Sequence, residues 1–223
     1  MLVGIVGFIG SGKGTAGEIL TQWDFNKESF AGPVKDTTSI MFGWPRSLLE
    51  GDTDESREFR ERPDKFWSAK FGRPFTPREA LQKMGTEAGR NVFHQNFWID
   101  RLEHKILPDE NYVITDTRFE NEMKWIKSRG GVIIEINRGP QPHWYEIAEK
   151  ANHGYAKATA YMMKEVGVHE SEWRWIDRDL IDATIENSGT KKDLEINLTK
   201  ELTKFFGQAM MSEIANGEIN ATV

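Results

Sequence analysis

No cysteine occurs among the 223 residues, which excludes a disulfide framework, a thiol nucleophile and any cysteine-ligated zinc. A reducing compartment suits such a chain. A basic excess is missing too: 29 lysines and arginines against 35 aspartates and glutamates leave a net charge of −6. A sequence-independent grip on a nucleic-acid backbone needs a basic surface, so no stable nucleic-acid binding is expected, although a local basic pocket for a small anion stays open. No long apolar run is present. The longest, the glycine-interrupted residues 1–10, falls far short of the ~20 residues that span a bilayer and has no basic flank of a secretory leader. No membrane partner is therefore expected, and the expected location is cytoplasmic. The histidines at 94, 104, 143, 153 and 169 show no metal-ligand spacing, and no Ser/His/Asp order stands out. Hydrophobic residues, at 38%, suffice for a sizeable core and exclude global disorder.

What is present alternates strand with helix. Leu2-Val3-Gly4-Ile5-Val6 is apolar on both faces, as strands inside a helix-covered parallel sheet are. Glycines at 7, 10, 12 and 14 follow, then a helix over 15–23. Residues 26–30 suit a second strand, and Pro33 opens a helix towards Gly43. The insertion at about 44–76 is dense in charge, proline and glycine and is expected to be a lid or substrate-side segment outside the core. Thr76 is placed to cap a helix opening at Pro77, with Glu79 close by, and a second helical piece spans 97–106. Residues 112–115 form the clearest later strand, ending in Asp116; a helix over 120–129 stops at Gly130-Gly131 before a strand at 132–136. A second insertion at about 140–165 is helical, residues 183–186 form the last strand, a helix runs to Phe206, and a polar tail follows from Ser212. These elements fit one α/β domain over 1–223 with a central parallel sheet.

Gly7-Phe8-Ile9-Gly10-Ser11-Gly12-Lys13-Gly14-Thr15 fits G-x-x-x-x-G-K, with the hydroxyl displaced by one residue to Thr15. Glycines let consecutive N–H groups turn inward around phosphate oxygens, and the following helix presents its positive end. Lys13 then reaches the β- and γ-phosphates as a point charge. The strand-loop-helix context favours this over an ordinary glycine-rich turn. Gly10, Ser11, Gly12, Lys13, Gly14 and Thr15 are the candidate ATP-binding residues. Gly14 stands where many P-loop proteins carry the magnesium-binding hydroxyl, so Mg2+ would be held mainly by phosphates and water, with Thr15 as a weaker contributor. Gly-Lys-Gly-Thr looks like the form used by nucleoside monophosphate kinases.

Further blocks sharpen the resemblance. Phe30-Ala31-Gly32-Pro33-Val34-Lys35-Asp36, Leu81-Gln82-Lys83-Met84-Gly85-Thr86-Glu87 and Thr115-Asp116-Thr117-Arg118 resemble the phage deoxynucleoside monophosphate kinase family. Val168-His169-Glu170-Ser171 and Asn187-Ser188-Gly189 extend it more weakly, over roughly residues 1–206. The resemblance implies a P-loop NTPase three-layer sandwich with helical lid and substrate-side insertions, ATP and Mg2+ as cofactors, a homodimer, and the host cytoplasm if the chain is of phage origin. It also places Asn187 with the donor-site residues.

Phosphoryl transfer needs a cationic clamp for the acceptor phosphate, opposite the P-loop. Lys35 is one candidate, its alternative being a solvated helix-end lysine; the resemblance puts its region against the monophosphate. Among the arginines of the insertion, Arg60 and Arg62 are the preferred candidates for closing on phosphate. Asp116 projects from a strand's carboxyl end, where α/β sheets bind ligands, and can hold a metal-bound water or orient an arginine. Arg118 is placed to clamp phosphate with its planar fork, the alternative being a plain ion pair with Asp116. Similarity to the family puts Glu122 near the acceptor nucleotide. Arg78, Gln82, Gly85, Thr86 and Arg90 recur every three or four residues, so several can share a helix face, with Gln82 suited to a base edge. Trp98 either stacks on the base or is core, and His169 either touches substrate or caps a helix.

The expected activity is transfer of the γ-phosphoryl of ATP to deoxynucleoside 5′-monophosphates, with Lys13, Asp116 and Arg118 as the catalytic groups and Thr15 and Asp116 as candidate metal ligands. Three rivals stand beside it: another small-metabolite P-loop kinase, of the dephospho-coenzyme A kinase kind, a DNA-stimulated P-loop ATPase, and a nucleotide-sensing binding module without turnover. The acidic balance counts against the second.

Overall fold

A computed structural model describes residues 1–207, and the polar tail from Ser212 lies outside them. The chain divides into two compact units: residues 1–28 together with the chain from Ile106 onward, and residues 29–105.

The first unit is built on strands β1 (Leu2–Val6), β2 (Asn26–Glu28), β3 (Tyr112–Ile114), β4 (Val132–Asn137) and β5 (Ala183–Glu186). All pair in parallel, in the order β2-β3-β1-β4-β5. Every residue of β1 and β4 is buried, which accounts for the unbroken apolar run of β1 and the largely apolar one of β4, where Glu135 and Asn137 are the buried polar residues. On one face, Val3, Ile5, Ile134, Ile136 and Ile185 pack against Ile19 and Leu20 of helix Lys13–Thr21 and against Leu194, Leu198 and Leu202 of helix Lys191–Phe206. The four-residue spacing of the three leucines gives that last helix its apolar stripe. Thr190 and Asp193 cap its start reciprocally, and those hydrogen bonds hold the Asp193 carboxyl below its usual range. On the opposite face Gly4 lets Ile126 of helix Glu120–Ser128 approach so closely that a Cβ there would lie 2.6 Å from its Cδ1. Helices on both faces make the three layers.

The second insertion is helical but broken. Helix Tyr145–Asn152 ends near Gly154, whose φ of 85° is left-handed, before helix Ala156–Tyr161 and a π-type turn Met162–Val166. Among the described residues no helix is long and apolar enough to cross a membrane.

The second unit contains helices Gly32–Phe42, Asp54–Glu61, Lys65–Phe71, Pro77–Gln82 and Phe97–Glu103. Thr76 caps the fourth as expected, its hydroxyl accepting from the Glu79 amide at 3.1 Å. Segment 44–76 differs from its expectation, because it brings core residues of its own. Trp44, Leu49 and Phe75 are buried with Ala80, and Phe42, Phe59, Trp67 and Leu81 pack against them. Trp44 stacks on Phe42 at 4.7 Å and 11°, and its indole N–H donates to Asp64 at 2.9 Å. The charges that suggested a solvated lid lie on the outer faces of short helices, and the few aromatics between them carry the packing. From Lys83 to Phe93 the helix begun at Pro77 widens to a π-type winding. Its hydrogen bonds reach i+5 and redistribute side chains around the axis.

Candidate active site

The donor site grows from the sheet's centre. Because β1 pairs with β3 in the register Gly4 to Ile114, Asp116 falls just past the end of β3, level with the start of the glycine loop. Helix Lys13–Thr21 closes on the same place: a Cβ on Gly17 would lie 2.5 Å from Thr115 Cγ2. Gly7, Gly10 and Gly12 of the loop all have left-handed φ values, and two of them are also closely approached. Gly7 has φ 141° and lies so close to Ile136 that a Cβ would meet its carbonyl oxygen at 2.3 Å. Gly12, at φ 104°, precedes the helix, and no side chain caps the first turn. The N–H groups of Lys13, Gly14 and Thr15 therefore open a helix with no intrahelical partners, an arrangement suited to an anion.

Asn187, which sequence placed with the donor-site residues, braces the loop from the end of β5. Its Nδ2 donates to the Ser11 carbonyl at 2.8 Å, and its own amide donates to the Asn137 carbonyl at 2.7 Å. Ser11 sits inside the loop: its amide donates to the Phe8 carbonyl at 3.2 Å and its hydroxyl is buried. A side chain built on Gly10 or Gly14 would meet nothing within 4 Å. The Lys13 ammonium donates to the carbonyls of Gly7 and Phe8, both at 2.7 Å. Burial, reinforced by the positive charge of Arg118 and opposed by Glu172, pulls its pKa down to about 8.

Arg118 does not form the simple pair with Asp116 that sequence offered as an alternative. Its Nη1 donates to Glu172 at 2.8 Å and to the Ser171 hydroxyl at 3.2 Å, more than fifty residues along. The coulombic effect on Lys13 places this guanidinium near the loop lysine. His169 sits behind the pair. Its Nδ1 accepts from the Ser171 amide at 3.3 Å and lies 3.0 Å from the Ser171 hydroxyl, so of its two options the capping one is realised. Glu122 is buried and accepts from the amides of Arg118 and Phe119 at 2.7 and 3.1 Å. Its carboxylate secures the start of helix Glu120–Ser128, a local task that the sequence did not disclose. Sequence reasoning gave Glu172 no role, although it closes the His169-Glu170-Ser171-Glu172 block.

In the second unit Lys35 is ion-paired with Glu50 at 2.5 Å, and Arg46 shares that carboxylate. The two cations hold the Glu50 carboxyl below its ordinary value despite its partial burial. Arg60 lies over Gly51 and donates to the Glu50 carbonyl at 3.2 Å, while Arg62 is exposed at the end of helix Asp54–Glu61. Arg78 pairs with Glu61. Gln82 and Thr86 are exposed, and Gly85 and Arg90 are half-buried. The three-to-four-residue spacing does not describe one α-helical face here, because the π-type winding starts at Lys83. Trp98 is corrected most clearly. The ring is 6% exposed, its N–H donates to the Gly85 carbonyl at 2.7 Å, and a Cβ on Gly89 would touch it at 2.5 Å. It braces the π-type segment and has no open face for a base.

One cluster was invisible in the sequence. His153, Asp177 and Asp179 bring ligand atoms within 4.8 Å of one another. His153 is ion-paired there, and the hydrogen bond to Asp177 raises its pKa. The group is accounted for as a surface ion-pair network.

A parallel sheet ordered 2-3-1-4-5, with a glycine loop, lysine and uncapped helix after its central strand, defines a P-loop nucleotide-binding α/β protein. No family model matches the chain. It is 35% identical over 153 residues to an Acanthamoeba polyphaga mimivirus protein assigned as a deoxynucleotide monophosphate kinase, over 62% of this chain and 74% of that one. It is 28% identical over 174 residues to the deoxynucleoside-5′-monophosphate kinase of Escherichia phage T5, over 55% of this chain and 70% of that one. Among solved structures, dephospho-CoA kinase from Campylobacter jejuni aligns over 92% of this chain and 96% of its own, at 16% identity and a TM-score of 0.43. The chain belongs to the deoxynucleoside monophosphate kinase family.

Proposed function

We propose that this protein transfers the γ-phosphoryl of ATP to deoxynucleoside 5′-monophosphates, and the observation that carries the proposal is the glycine loop whose Lys13 feels the charge of Arg118, with Asp116 two residues past the end of β3. An oxygen of the acceptor phosphate attacks the γ-phosphorus in line. The bond from that phosphorus to the β-bridging oxygen breaks, leaving ADP and a diphosphate. Little covalent chemistry falls to the protein, whose work is alignment and charge neutralisation. The helix amides and the Lys13 ammonium hold the donor phosphates, and the Arg118 fork neutralises charge on the transferring group. Lys35, Arg60, Arg62, Arg78, Gln82, Thr86 and Arg90 supply the proposed acceptor-side contacts by their chemistry.

The hydroxyl of Thr15 and the carboxylate of Asp116 are hard oxygen donors on elements that meet at Thr115. They fit Mg2+, which when bound supplies further neutralisation of the phosphates. A homodimer in the cytoplasm completes the proposal.

The test is ATP-dependent turnover measured across deoxynucleoside monophosphates and ribonucleotides, together with Lys13→Ala. That variant is expected to stay folded and to lose about 10²–10³-fold in turnover, as removal of a charge aimed at the transition state does. Near-normal turnover in Lys13→Ala would overturn the site assignment.

A further inference from the structure

The loop residue Phe8 fills a variable position of the phosphate-loop pattern, yet its half-buried ring packs against three others. It meets Trp175 at 5.0 Å and 67°, Trp144 at 5.7 Å and 80°, and Tyr145 at 6.1 Å and 66°, all edge-on. The Phe8 carbonyl is one of the two that accept from the Lys13 ammonium. The same Trp175 reaches the other side of the site. Its indole N–H donates to the Glu172 carbonyl at 3.0 Å, and the Glu172 carboxylate is the one that holds Arg118. Trp175 is 1% exposed and lies in a turn without regular secondary structure. Asn152 pins that turn from behind, donating to the Trp173 and Ile176 carbonyls at 2.9 and 2.8 Å.

We propose that Trp175 is a positioning residue that couples the donor loop to Arg118, through its ring on Phe8 and its N–H on Glu172. Aromatic edge contacts are directional, and the indole has a single donor. One rigid side chain therefore sets both the loop beneath Lys13 and the backbone that carries the Arg118 partner. An arginine fork misplaced by about 1 Å forfeits much of its effect on a transferring phosphoryl group. This also gives the segment around 140–175 a task, since it forms the wall against which the loop and the arginine are registered.

The inference rests on the reading of Arg118 as a phosphate clamp, so the test separates the two. Trp175→Phe keeps a ring for Phe8 and removes the N–H. It is combined with Arg118→Lys in a double-mutant cycle read as kcat/KM for a deoxynucleoside monophosphate at saturating ATP. Arg118→Lys is expected to cost about 100-fold, because Lys cannot supply the bidentate fork. Trp175→Phe is expected to cost about tenfold, falling on kcat, with the ATP KM within about twofold of wild type. In the double variant the loss stays within about threefold of Arg118→Lys alone, the mark of residues acting through one group. Losses that multiply to about 1,000-fold would overturn the coupling.

Glu172→Gln guards against a folding defect in Trp175→Phe, since it leaves the buried ring intact and removes only the charge that holds Arg118. It is expected to melt as wild type does and to show the same non-additivity with Arg118→Lys. Additivity there would overturn the coupling as well. Should Arg118→Lys alone remain within about twofold of wild type, the clamp assignment fails and the coupling with it. Wild-type turnover would still report on the kinase proposal by itself.

Discussion

Raising the pH tests the electrostatics of the loop lysine without altering the chain. Burial and the neighbouring Arg118 charge bring the Lys13 ammonium from its ordinary 10.5 down to about 8. That fall corresponds to a cost of about 3 kcal/mol for the charged form in the folded protein. One pH unit above the midpoint, about 10% of the molecules keep the charge, so kcat/KM for ATP is expected to fall about tenfold between pH 7.5 and 9. This ratio reports the free protein, and kcat reports the complex. Bound phosphates restore the charge by attraction, so kcat at saturating ATP should hold to higher pH. The stability contribution has the opposite sign. The folded pKa lies below the unfolded one, so the unfolded chain binds more protons between about pH 8 and 10.5. Stability from this group therefore rises across that window while ATP capture falls. Paired initial-rate and thermal-melting series from pH 7 to 9.5 read both trends. A flat kcat/KM for ATP up to pH 9.5 would refute the depressed lysine, and parallel loss of activity and melting temperature would assign the decline to unfolding.

Gly12→Ala puts a Cβ 2.3 Å from Asn187 Nδ2 at a φ of 104°, for a strain of about 1–3 kcal/mol. It should raise the ATP KM at least tenfold and lower the melting temperature, and an unchanged ATP KM would contradict the bracing of the loop by Asn187. Trp98→Leu removes a buried ring and its hydrogen bond to Gly85, so a destabilisation of about 2–4 kcal/mol is expected by denaturant melting. Its substrate constants should not change in the folded fraction, and a selective rise in acceptor KM would return the ring to the base site. DNA is expected to leave ATP consumption unchanged while a deoxynucleoside monophosphate raises it, given the net charge of −6. Coupled-assay rates with each additive decide, and strong stimulation by DNA alone would favour the ATPase alternative.

Sequence alone determined the features whose causes are local. A continuous apolar run marked β1 and a largely apolar one β4, because burial on both faces of a parallel sheet favours such patterns, and residues 183–186 coincide with the edge strand β5. The spacing of the glycines and Lys13 disclosed the phosphate loop, since the backbone turns it needs demand those residue types in that order. Thr76 disclosed a helix start by the same kind of short-range chemistry.

Tertiary structure decided everything that depends on partners distant in the chain. Arg118 finds Glu172 rather than Asp116, and Trp98 turns its N–H to Gly85 rather than its face to a base. The first of these pairs spans 54 residues and the second 13. Periodicity reports which face of an element is apolar, but it carries no information on which of several like-charged or aromatic side chains folding brings together. Glu122 shows the limit even at short range: a carboxylate four residues after an arginine looks the same whether it faces solvent, a nucleotide or, as here, the helix's own first amides. The packing of Phe8 against Trp144, Tyr145 and Trp175 lies furthest from the sequence, because those rings meet only once the chain from 140 to 175 has folded back onto the loop that follows β1.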